Sequence, residues 1–177
     1  MTVHEETVAT PASAFRPSFE AFYGRELQSV IGLAYVLSGS RSGAEDLAQE
    51  AFLAALKQWN DIGTYDDPGG WVRRVVANKA VSGFRRRAAE ARALARLGRT
   101  DFNVPDLTPE AVATWEAVRR LPKRQAQVVA LRYFDGQPAA DIARILDCSE
   151  ATVKTHLQRA KHALAKKLGE EIDHEDT

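Results

Sequence analysis

Between Cys148 and Leu168 the chain reads CSEATVKTHLQRAKHALAKKL, and the polar groups it offers there are almost all hydroxyls, amides and cations. At helical spacing Val153, Leu157, Ala160, Leu164 and Leu168 form one apolar stripe. Ala151, Lys154, Thr155, Gln158, Arg159 and His162 point away from it. Amides and guanidinium groups make paired hydrogen bonds to base edges, and ammonium groups meet phosphates. Carboxylates would be repelled, and only Glu150 lies near the front of this face. Ser149 is placed to cap the helix, with Cys148 and Val153 as a hydrophobic staple. A short helix, PAADIARIL, precedes it across the turn Asp147-Cys148-Ser149. The pair reads as a helix-turn-helix whose second helix enters the major groove.

A second face carries a different chemistry. In SGAEDLAQEAFLAALKQW the residues Ala44, Leu47, Ala48, Ala51, Phe52, Ala55, Leu56 and Trp59 recur as an inner stripe. Asp46, Gln49, Glu50, Leu53 and Lys57 lie opposite. An apolar Leu53 among Asp46, Gln49 and Glu50 suits a docking patch for a basic protein surface. Ser42 and Glu45 have the spacing of a capping box that would start this helix.

Around these faces the composition is that of an all-helical chain of 177 residues, with 45% hydrophobic and 27% charged residues and no alternating β-branched runs. The net charge of zero conceals opposed patches. Arg119 to Lys167 holds eleven Lys or Arg against four acids, whereas the final GEEIDHEDT holds five carboxylates. A basic half implies a polyanionic partner. The single Cys148 excludes an intrachain disulfide and fits a reducing cytoplasm, and no apolar run suggests secretion or a membrane span. His4, His156, His162 and His174 do not fall at metal-ligand spacing with Cys148, and neither a Ser-His-Asp set nor a phosphate loop is visible. The expectation is therefore a protein that is not an enzyme and needs no cofactor or metal.

The elements that must position these faces follow from local signals. Residues 1–17 read as a disordered arm. Helical spacing begins at Phe19 (Phe22, Tyr23, Leu27, Val30, Ile31, Ala34) and stops at Ser38-Gly39-Ser40. NDIGTYDDPGG reads as a loop before the helix WVRRVVANKAVSGFRRR, in which Trp71 is expected in the core at the helix start, as is Trp59 before it. Six arginines crowd residues 85 to 99, and GRTDFNVPDLTPE then reads as an interdomain linker. Thr108 caps the next helix with Pro109 at its first position. Pro122 is read the same way for PKRQAQVVALRYF, which ends at Asp135-Gly136. The expected organisation is a first domain over 18–97, a linker over 98–108, a second domain over 109–168 and an acidic tail over 169–177. That tail can reach the basic helix and compete with phosphates, most effectively at low salt, or it serves simply as a solubilising disordered end.

Three blocks together, AEDLAQEAFLAAL, WVRRVVANKAVSGFRRR and LPKRQAQVVALRYFDGQPAADIARILDCSEATVKTHLQRAKHAL, resemble an extracytoplasmic-function (group 4) sigma factor of bacterial RNA polymerase. The resemblance covers about Phe19 to Leu168 and implies two small helical domains, regions 2 and 4, on a flexible linker. It implies that Asp46, Gln49, Glu50 and Leu53 meet the coiled-coil clamp of the polymerase's largest subunit. Arg73, Arg74, Asn78 and Lys79 would hold the melted −10 strand, with Arg85, Arg86 and Arg87 on phosphates. For the −35 element it implies Ala151, Thr152, Lys154, Thr155, His156, Gln158 and Arg159. The implied partners are core RNA polymerase, promoter DNA and an anti-sigma factor. The family usually has Arg where this chain has His156, and a larger aromatic or aliphatic block where it has PGGW.

Two other readings compete. A LuxR-type activator would suit SEATVKTHL, but it predicts an N-terminal ligand or phosphoacceptor domain with strands. A helical scaffold that binds only protein leaves the basic half without a purpose.

Overall fold

The computed structural model describes the backbone of residues 17–90 and 106–175 and, within these, the side chains of 17–80 and 106–167. The described residues are helical, without strands. α1 (Phe19–Ser38), α2 (Arg41–Lys57), the single turn α3 (Trp59–Ile62) and α4 (Pro68–Glu90) build the first half. α5 (Pro109–Arg119), α6 (Lys123–Val129), α7 (Ala139–Leu146) and α8 (Glu150–Glu175) build the second.

Caps account for most boundaries. Ser18 Oγ accepts from Ala21 N at the start of α1, and Gly39, at φ 75°, closes it in the left-handed conformation that glycine adopts without strain. Thr108 caps α5, with Pro109 in its first turn. Two expected starts are displaced. The α2 cap is Ser40, whose Oγ accepts from Gly43 N, so the Ser42–Glu45 capping box does not form. Glu45 is instead buried, with its Oε1 unpartnered among the described residues. Pro122 stands just before α6 rather than at its first helical position. The expected loop before Trp71 is also shorter. Residues 59–62 form α3, and Asp67 Oδ1 accepts from Gly70 N at 2.7 Å, starting α4 at Pro68 so that both glycines are helical.

α1 is the central strut. Its residues 30–34, 36 and 37 are all buried, so this helix is covered on nearly every side rather than along one stripe. Phe22, Phe52 and Trp59 form an aromatic cluster at one end, with Phe22 and Trp59 centroids 4.7 Å apart. Trp59 and Trp71 are half-buried and pack against the core rather than within it. The two halves do not keep separate cores. Val128, Leu131, Ile142, Ile145, Leu146 and Val153 join Phe22, Val30, Leu33, Leu47, Val72 and Val76 in one buried cluster. A smaller cluster of Val118, Leu121, Ala126, Val129 and Ala160 holds α5, α6 and α8 together.

The last turn before Gly136 is a π-turn over Ala130–Phe134, with Asp135 N donating to Ala130 O at 3.1 Å. Such widened turns re-aim the residues that follow them, and this one carries Asp135.

Candidate functional site

α7 and α8 form the expected helix-turn-helix. Asp147 ends α7 at φ 55°, a left-handed position that aspartate tolerates better than most side chains, and Cys148 N donates to Ala143 O at 3.0 Å. Ser149 Oγ accepts from Thr152 N at 3.1 Å and lies 2.9 Å from Thr152 Oγ1, so Thr152 belongs to the cap as well as the outer face. Val153 and Ala160 are buried, Leu157 and Leu164 are half-buried, and the side chain of Leu168 lies outside the described residues. Ala151, Thr152, Lys154, Thr155, Gln158 and Arg159 are exposed together, with no carboxylate from Ala151 to His162.

His156 sits at the flank of this face, half-buried, with its Nδ1 buried and unpartnered among the described residues. Burial, then the charges of Arg159 and Arg124, hold its pKa below the ordinary 6.5. The charges of Arg159 and Arg124 therefore act on an imidazole at the edge of the exposed face.

On α2, Asp46, Gln49, Glu50 and Leu53 are exposed on one face as expected. The inner-stripe assignment fails at Leu56. It is 48% exposed and joins Leu53, at 56%, with Phe19, Tyr23, Gln49 and Phe52 around a shallow apolar groove between α1 and α2. Sequence periodicity places Leu56 inward because it continues the stripe, but it lines the open groove beside Phe19 and Tyr23 instead.

α4 treats its candidate residues unequally. Arg74, Asn78 and Lys79 are exposed, and Lys79 Nζ lies 2.8 Å from Glu50 Oε2. Arg74 pairs with Asp147 at 3.3 Å across the two halves. Arg73 is 10% exposed and fully engaged. Its Nε donates to Asp135 Oδ2 at 2.6 Å, Nη1 to Glu26 Oε2 at 2.8 Å and Nη2 to Ser29 Oγ at 3.0 Å. Burial disfavours its charge, but the hydrogen bonds and charges of Asp135 and Glu26 outweigh that and raise its pKa. The side chains of Arg85, Arg86 and Arg87 lie outside the described residues.

The glycines of PGGW now have a physical reason. A Cβ on Gly69 would fall 2.7 Å from Arg73 Nη1, and one on Gly70 would collide with the Asp67 carboxylate and press on Ile145 Cγ1 at 3.3 Å. Small residues here admit the Arg73 pair and the close approach of α7.

Comparison with known proteins follows the same division. Residues 22–90 match the family described as Sigma-70 region 2, and residues 111–164 match Sigma-70, region 4. The chain is 30% identical over 167 residues to the ECF RNA polymerase sigma factor SigM of Mycobacterium tuberculosis, covering 93% of this chain and 84% of that one. This chain belongs to the extracytoplasmic-function sigma factors.

The sigma factor is also 28% identical over 151 residues to SigW of Bacillus subtilis, covering 77% of this chain and 81% of that protein. Its fold matches solved sigma factors. One is RpoE of Bartonella quintana, bound to the anti-sigma factor NepR, with TM-score 0.64 and 22% identity over 85% of this chain and 96% of that one. Another is CnrH, bound to the cytosolic domain of CnrY, with TM-score 0.61 and 21% identity over 85% and 87%. A sigma factor directs transcription initiation, and the LuxR-type alternative is left with no first half to stand on. Residues 22–90 are region 2, built of helices, rather than a ligand or phosphoacceptor domain. No helix among the described residues is long and apolar enough to cross a membrane.

Proposed function

We propose that this sigma factor divides its binding among three faces on either side of a linker at 98–108. Asp46, Gln49, Glu50 and Leu53 dock on the basic clamp surface of core RNA polymerase. Arg74, Asn78 and Lys79 hold the melted −10 strand together with Arg73, Arg85, Arg86 and Arg87. The outer face of α8 reads the −35 duplex through Ala151, Thr152, Lys154, Thr155, His156, Gln158 and Arg159. The observation that carries this reading is the exposed front of α8 from Ala151 to His162, capped by Ser149 and bearing hydroxyls, an amide and cations without a carboxylate. Each bidentate or charged contact it makes to a base discriminates by about 1–3 kcal/mol.

The groove of Phe19, Tyr23, Phe52, Leu53 and Leu56 adjoins the acidic patch, so a helical inhibitor with apolar anchors and basic flanks fits there. An anti-sigma protein of that chemistry is the regulatory partner we assign, in keeping with the inhibitor-bound relatives above. The chain performs no catalysis itself and acts in the cytoplasm, where the polymerase is.

The test adds the purified protein to core polymerase with a promoter library. A sigma factor starts transcription unaided, at promoters sharing a −10 and a −35 sequence. Transcription only in the presence of a second sigma would mean an activator instead.

A further inference from the structure

The hydroxyls on the outer face of α8 are already engaged within the helix itself. Thr152 Oγ1 lies 2.9 Å from Ser149 Oγ, inside the cap. Thr155 Oγ1 donates to Ala151 O at 2.9 Å, so its proton is used on the helix backbone. With that oxygen turned back along the helix, the group that Thr155 keeps for DNA is its γ-methyl. Ala151, one turn earlier and likewise exposed, adds a second methyl. The side-chain amide of Gln158 is exposed too and has no partner among the described residues.

Ala151, Thr155 and Gln158 form the middle of the face. At about 100° per residue they fall within about 60° of one another, on the side away from the buried Val153 and Ala160. Lys154 and Arg159 stand to either side, each about 70° from the centre of the three. What enters deepest into a groove is therefore a pair of methyl groups beside one amide, with cations on the flanks.

In the major groove only thymine offers a methyl group. Only adenine offers the amino donor and ring-nitrogen acceptor that a carboxamide matches with both its ends. We propose that α8 specifies neighbouring A·T pairs in the −35 element, with Ala151 and Thr155 on a thymine methyl and Gln158 on an adenine. From Thr155 to Gln158 the helix rises about 4.5 Å, near one base-pair step of about 3.4 Å, so the two pairs are adjacent. The Thr155 hydroxyl serves to fix the methyl in place rather than to read a base. The inference rests on α8 being the −35 reader and adds which bases it reads and through which groups.

The test uses the full chain assembled with core polymerase, on promoters selected from a library randomised across the −35 element. The selected elements should carry neighbouring A·T pairs. Uracil then replaces each thymine of that element in turn, which deletes the methyl and nothing else. At one position the affinity of the parent should fall about fourfold, the worth of one methyl group. Thr155→Val keeps the methyl and lacks the hydroxyl, so it should retain both the affinity and that preference. Thr155→Ser keeps the hydroxyl and lacks the methyl, so it should lose most of the preference. Gln158→Ala should relax the choice of adenine by at least about fivefold. Three results overturn the inference: selected elements without neighbouring A·T pairs, uracil tolerated at every position, or binding lost in Thr155→Val and kept in Thr155→Ser. If Lys154→Ala still weakens promoter binding in those cases, α8 remains the reader and only its base assignment is wrong. A uracil effect in the parent that no α8 variant alters sinks the inference together with the assignment of α8, because another element then reads the methyl.

Discussion

Lys79 of α4 forms an ion pair with Glu50 of α2, Nζ to Oε2 at 2.8 Å, and so joins the helix proposed to hold the −10 strand to the patch proposed to meet polymerase. Both side chains are about half exposed, so the pair contributes little to stability, at most about 1 kcal/mol. Its interest is positional. A cation assigned to DNA and a carboxylate assigned to polymerase restrain one another in the free protein.

Replacing both Asp46 and Glu50 by Arg therefore tests binding without threatening the fold. The two cations would oppose a basic clamp surface, and we expect a loss of about 2–5 kcal/mol in affinity for core polymerase if both sites are desolvated on binding. Thermal unfolding should shift by no more than a few degrees. Unchanged affinity, measured by fluorescence anisotropy, would remove this face from the interface.

For the −35 face, Lys154→Ala and Arg159→Ala should each weaken duplex binding by about 1–3 kcal/mol where the side chain reads a base. Competition among operator variants separates the two roles. A base reader loses discrimination at one position, whereas a phosphate contact weakens all sequences alike and lowers the salt slope by about one.

With His156 at a phosphate, as proposed, the complex should depend on pH. Its pKa in the free protein is held below 6.5 by burial and by Arg159 and Arg124. A phosphate beside it stabilises the imidazolium and raises that value, so binding takes up a proton and tightens as pH falls between the two values. Titrating −35 duplex affinity from about pH 7.5 to about pH 6 should show this gain. His156→Arg, always charged, should abolish the slope and bind more tightly at the upper end.

Acid should weaken the Glu26–Arg73 pair. Burial opposes the charge on Glu26, but hydrogen bonds from Arg73 and Arg25 and their charges outweigh it and place its pKa below the ordinary 4.5. A depressed folded-state value means that the stabilisation is complete above 4.5 and is lost as pH falls through the lower folded value. Melting temperatures of parent and Glu26→Gln should differ most above that window and converge beneath it. Parallel curves throughout would show that Glu26 does not couple to the fold.

The acidic tail should not mask the reading helix at ordinary salt. Its side chains lie outside the described residues, but the backbone of α8 continues as helix to Glu175. At about 1.5 Å per residue, Glu170 is then about 24 Å along the axis from Lys154. That is beyond the Debye length of about 10 Å at 0.1 M salt. Deleting residues 169–177 should leave −35 affinity unchanged at that ionic strength.

What the sequence determined alone was whatever depends on near neighbours. The Ser149 cap, the Val153–Leu157–Ala160 stripe and the exposed cations of α8 lie within a few turns of one another, so spacing suffices to place them. The face of Asp46, Gln49, Glu50 and Leu53 was legible for the same reason. Tertiary structure decided where helices end against each other. Leu56 continues an inner stripe yet lies in an open groove, and Glu45 has capping-box spacing yet is buried because Ser40 caps first. It also decided that Arg73, grouped with Arg74 in the sequence reading, turns inward to a carboxylate 62 residues away. One signal of that was present in the chain. VIGLAYVL, residues 30–37, is apolar all round and so marks a helix that needs cover on more sides than the first half can supply. Which surface supplies it depends on packing between distant segments, and no local pattern encodes that.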